Sequence, residues 1–215
     1  LNKIPIINFT SLNIRYNANY DWTAALPAIS NLGNTIQNSN STQYNGQINL
    51  TNLYNKVPYF KKLNQAGNRR ANRNREDNND VEIKKKNNFA FLKNMTRFLL
   101  AVKNISINYS ENQGTFLPGY LNQSKALGQD WRQFSPGLPF AFGSQQDIRS
   151  MAAINGWISK STELNTMYKT NSSKNLTLRS TAEPIKQLNI EFTANKITSN
   201  NYTEYYKWDS DINNF

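Results

Sequence analysis

Oxygen ligands at alternate positions open the segment "DSDINN", where Asp209, Asp211 and Asn213 have the spacing that begins a calcium-binding loop. Such a loop needs Gly at its sixth position and a bidentate carboxylate at its twelfth. Here the sixth is Asn214 and the sequence stops one residue later, so an ordinary acidic turn is expected. Carboxylate pairs could cleave glycosides, yet nothing in the pattern selects two of the fourteen acids. The chain has no cysteine and no histidine. That removes disulfides, thiolate nucleophiles, Ser-His-Asp triads and the usual zinc sites within it, together with the side chain most used for general acid-base work. The expectation is no enzyme, no metal and no cofactor.

Positive charge is the next candidate. The formal net charge is +11, and Lys61, Lys62, Arg69, Arg70, Arg73, Arg75, Lys84, Lys85 and Lys86 crowd into one segment. Phosphate neutralisation would suit nucleic acid. These cations alternate with Asn rather than with stacking aromatics, and Glu76, Asp77, Asp80 and Glu82 interrupt them, so residues 61–88 read as a long, solvated basic loop with no nucleic-acid partner. Triplets of the glycosylation type, such as Asn104-Ile105-Ser106, arise by chance in a chain this rich in Asn, Ser and Thr.

The elements that must position any site are strands. In "LNIRYNANYDW" Leu12, Ile14, Tyr16, Ala18, Tyr20 and Trp22 fall on one face, with Asn13, Arg15, Asn17, Asn19 and Asp21 on the other. The same period of two returns in "QYNGQINLT", "NISINYS", "NLTLRS", "QLNIEFTAN" and, interrupted by Glu204, in "NYTEYYKW". About eight antiparallel strands, mostly in hairpins, and little helix are expected over a single region 1–215. Residues 114–160 hold most of the Gly and Pro with many aromatics, and read as a structured, plug-like loop anchored by Phe116, Trp131, Phe134, Phe140, Phe142 and Trp157. Within it "QQDIRSMAAINGW" suits a short helix stopped by Asn155 and Gly156.

What the apolar strand faces touch decides the function class. The longest apolar run, "FLLAV" at 98–102, is far shorter than the roughly 18 residues a membrane helix needs, so helical membrane proteins are excluded while barrels are not. A soluble sandwich gives the same alternation. The run at 12–22 is eleven residues long, enough for a tilted strand to cross a bilayer, and Tyr20 and Trp22 cluster at one end as an interfacial girdle would. About one residue in six is Asn, which keeps a face wet without imposing a strong field. The start at Leu1, with no initiator Met or signal sequence, suits an internal piece of a longer protein.

Several long motifs occur in order: "NTIQNSNSTQYNGQINLTNLYNKVPYFKKLN", "TRFLLAVKNISINYSENQGTFLPGY", "LGQDW", "PGLPFAFGSQQDIR" and "LTLRSTAEPIKQLNIEFTANKITSNNYTEYY". Together they resemble the SprA/Sov family of outer-membrane translocon proteins of the type 9 secretion system, over nearly the whole chain except the basic segment. The resemblance implies an all-β chain forming part of a very large transmembrane β-barrel in the cell outer membrane. Such a barrel exports folded cargo proteins to the cell surface and supports gliding motility. The implied partners are cargo, a PorV-type outer-membrane barrel protein, a periplasmic plug protein and outer-membrane lipid. On this expectation the even positions 12–22 face lipid, the odd positions 13–21 face the lumen, and the 114–160 loop shapes the pore or meets a partner. The alternative is a soluble all-β binding protein of the cell surface.

Overall fold

The computed structural model of the chain describes residues 8–58, 100–185, 187–209 and 215. The basic segment and all of "DSDINN" except Asp209 lie outside them. Five long strands, β1 (Thr10–Thr23), β2 (Asn34–Asn49), β3 (Val102–Tyr120), β4 (Tyr168–Ile185) and β5 (Leu188–Glu204), form one open antiparallel sheet in sequence order. With 14 to 19 residues each, the strands span roughly 45–60 Å. The fold is all-β. About eight strands were expected and five occur among the described residues, where one pair of neighbouring stretches fuses. "QLNIEFTAN" and the start of "NYTEYYKW" are both β5, and "NLTLRS" is the middle of β4.

Helices are few and short. The alternation of "QYNGQINLT" predicts a strand through Thr51, but α1 (Leu50–Lys56) starts one residue earlier, where the Asn49 side chain accepts a hydrogen bond from the Asn52 N–H at 3.0 Å. The interval expected to be a loop from 114 begins in fact at Leu121, since 114–120 complete β3. The β3–β4 connection carries α2 (Leu138–Ala141) and α3 (Arg149–Ile154), the latter ending at Asn155 and at Gly156 with φ 67°.

The strands divide between two compact units. The first contains Leu1–Asn13, Tyr44–Asn108 and Leu176–Asn195. In it the even positions of β1, β2, β4 and β5 and the odd ones of β3 carry the exposed apolar side chains Leu12, Tyr44, Ile107, Leu176, Leu178, Leu188 and Phe192, with Thr10, Lys103 and Ser180 as polar exceptions. The opposite face is mainly polar, and Gln47, Asn49, Asn104, Ser106, Arg179 and Thr193 line a depression there that Ile48, Ile105 and Phe192 also border.

The second unit contains Ile14–Gln43, Tyr109–Asn175 and Lys196–Phe215. It holds the core: Ile36, Leu117, Tyr120, Phe140, Ile148, Ala152, Trp157, Ile158 and Tyr168 are buried together. This cluster forms where the β3–β4 connection folds over its own strands. Gly33 and Gly119, both with φ 81°, let two backbones meet there, for a Cβ on Gly33 would stand 2.7 Å from the Gly119 carbonyl carbon.

Candidate functional site: the roofed and open faces of the sheet

In the second unit, residues 121–145 roof the even face of β1 and β2. Asn38, buried on β2, donates from Nδ2 to the carbonyls of Phe140 and Ser144, each at 2.8 Å, and accepts from Gln145 Nε2 at 3.0 Å. Gln145 Oε1 in turn accepts from Thr115 Oγ1 of β3 at 2.8 Å. Asn40 Nδ2 donates to the Gly143 carbonyl at 2.6 Å, and the Tyr16 hydroxyl to the Phe142 carbonyl at 2.6 Å. At the far end Trp22 Nε1 donates to the Asn122 carbonyl at 3.1 Å. The Tyr120 hydroxyl donates to Ser135 Oγ at 2.8 Å, as does Asn122 Nδ2 at 2.6 Å. A loop carries many backbone carbonyls, and the strand amides satisfy them where water is shut out.

The connection is pinned at a second point by Arg149. Its guanidinium is paired with Asp147 at 2.8 Å and with Glu204, and lies over the Tyr168 ring with its carbon 4.4 Å from the centroid and over Tyr206 at 5.3 Å. Hydrogen bonding to Arg149 holds the Asp147 carboxyl below the usual carboxylate range, and the same bond raises the guanidinium further. Desolvation pushes the Tyr206 hydroxyl up.

The face expected to meet lipid is therefore not uniform. Leu12, Ile14 and Tyr16 are exposed, whereas Ala18, Tyr20 and Trp22 are half-buried, with Tyr20 edge-on to Phe140 at 6.2 Å between centroids. At these three positions the apolar face meets the chain's own connection. All five residues expected on the lumen side, Asn13, Arg15, Asn17, Asn19 and Asp21, are exposed. Of the six aromatics expected to anchor the loop, Phe140 and Trp157 are buried in the core. Trp131 and Phe134 are exposed and edge-on to each other at 6.1 Å, and Phe142 is exposed beside Tyr16. Phe116 belongs to β3 and stands on the opposite, polar face near Lys169, whose ammonium is 6.0 Å from its ring centre.

On that polar face Asp21, Gln37, Ser39, Phe116, Lys169, Asn171, Asn201 and Thr203 line a groove of about 550 Å³. Gln37 Nε2 donates to Asp21 Oδ2 at 3.0 Å, so part of this lining is already paired internally. Among the described residues no cluster of three acids is placed to hold a metal ion. Sequence reading missed Asn38, Asn40 and Gln145. The only signal for the first two is register: counting back in twos from Tyr44 puts Thr42, Asn40, Asn38 and Ile36 on one face. No protein-family model and no curated protein matches the chain.

Proposed function

We propose that this chain is a section of the wall of a large outer-membrane β-barrel that conducts folded cargo proteins to the cell surface as the translocon of a type 9 secretion system, with a supporting role in gliding motility. The observation that carries the reading is two-sidedness on unusually long strands. In the first unit every strand turns apolar side chains outward on one face, and Leu12, Leu188 and Phe192 are each about half exposed or more. The other face is dominated by amides, hydroxyls and scattered charges, with Val102 and Ile185 as apolar exceptions. Large apolar side chains left open over five strands are costly in water and favourable in hydrocarbon. A neutral amide wall suits a conduit that must not bind the apolar patches of its passengers. Strands of 14 to 19 residues are ample to cross a hydrocarbon core of about 30 Å and continue beyond it. An open sheet leaves two edges, which further strands of a larger circle would pair. A PorV-type barrel protein and a periplasmic plug are the partners this reading brings with it, and it involves no catalysis.

The groove on the polar face of the second unit favours a second reading, a soluble all-β surface protein that binds a polar ligand. Removing the protein from its cells separates the two. The translocon reading expects folded cargo to accumulate in the periplasm and disappear from the cell surface. Unchanged export would overturn it.

A further inference from the structure

Strand parity places the β3–β4 connection on one side of the wall. Along the even face of β1, Ile14 is open, Tyr16 is hydrogen-bonded to the Phe142 carbonyl, and Ala18 and Tyr20 lie beneath Gly143 and Phe140. The roof thus rests on the same face as Ile14, and a segment packed on one face of a sheet cannot also stand on the other. If Ile14 meets lipid, this connection lies outside the barrel wall and leaves the lumen clear.

Its border next to Ile14 has two unusual properties. Leu138 and Phe142 present large exposed apolar side chains. Yet the backbone beneath them offers few free acceptors: the carbonyls of Leu138, Pro139, Phe140, Phe142, Gly143 and Ser144 all accept hydrogen bonds from within the chain. Tyr16, Asn38 and Asn40 reach some of these carbonyls from the sheet below, and local turns of α2 close the others. A segment that enters the boundary of a bilayer does need its polar backbone satisfied internally. Tyr16 fits the same surroundings, an exposed ring whose hydroxyl is already donated to the Phe142 carbonyl.

We propose that the 138–143 border, with Tyr16, is a lipid-contact collar that rests in the headgroup–acyl boundary of the leaflet nearest Ile14. This rests on the barrel reading. The two can be tested separately, because the chain has no cysteine to compete with single labels. Nitroxides would be placed at Phe142→Cys, Ile14→Cys and Arg15→Cys in the full-length protein reconstituted into phosphatidylcholine bilayers, and collision with oxygen compared with collision with a water-soluble nickel chelate. The collar predicts an oxygen-to-nickel ratio at 142 several-fold above that at 15 and below that at 14. A lipid-like signal at 14 with a fully aqueous one at 142 overturns the collar and leaves the barrel standing. So does a label at 142 that neither reagent reaches, which would indicate a protein covering. An aqueous signal at 14 overturns both.

Discussion

The exposed strand faces of the first unit and the roofed face of the second use the same alternating strands to opposite ends. In the first, apolar residues such as Leu178 and Phe192 are left open among the described residues. In the second, the corresponding positions of β2 carry Asn38 and Asn40, whose amides hold a connection in place through its carbonyls. A strand that meets lipid presents mainly hydrocarbon near the bilayer midplane. One that holds an irregular segment must present donors, because each backbone carbonyl shut away from water costs about 1–3 kcal/mol if left unpaired.

The comparison breaks most visibly by placing charge on the open face. Phe192→Lys should destabilise the inserted protein by up to about 2–4 kcal/mol if the residue lies near the bilayer midplane, while Thr193→Lys on the other face should cost little. Urea unfolding in lipid vesicles reads the difference, and equal effects would dissolve the distinction between the faces.

The roofed face should break through its amides. Asn38→Leu removes two donors and an acceptor at once and should cost roughly 3 kcal/mol, read as faster hydrogen exchange or proteolysis across 138–145. Gly33→Ala, which forces a Cβ against the Gly119 backbone at a positive φ, should cost on the order of 2–3 kcal/mol in the same assay. Tyr120→Phe is milder. It removes a single buried donor to Ser135 and should cost about 1 kcal/mol.

The smallest effect concerns acid. Because Asp147 is held below its ordinary range by Arg149, the stability of this pair is complete above the unfolded carboxyl value of about 4 and is lost as pH falls through the lower folded value. Asp147 is 52% exposed, so the loss should not exceed about 1 kcal/mol. It would appear as loosening of α3 in hydrogen exchange corrected for intrinsic rates, and Asp147→Asn should remove most of that pH dependence.

The regions differ just as much in how far they can be read from the sequence. Alternation in "NISINYS" and "QLNIEFTAN" is legible because apolar and polar residues sort cleanly by parity. The stretch 34–42, "NTIQNSNST", continues β2 but looks like loop, since apart from Ile36 the residues facing its roof are amides and hydroxyls rather than hydrocarbon. Glu204 interrupts the aromatic pattern of "NYTEYYKW" because it pairs with Arg149, a contact 55 positions away that no local period records. The short helix at 149–154 is legible from its Asn-Gly stop, whereas α1 turns on a single capping amide. Phe116 groups with the loop aromatics by proximity in sequence, but the strand carries it to the other face.

The most direct measurement of the central claim is a nitroxide scan of residues 188–194 in the reconstituted protein. Two-sidedness predicts oxygen accessibility peaking at Leu188, Ile190, Phe192 and Ala194, and nickel accessibility peaking at Asn189, Glu191 and Thr193. Uniformly high nickel accessibility at both sets would contradict a membrane wall and leave a sheet surrounded by water.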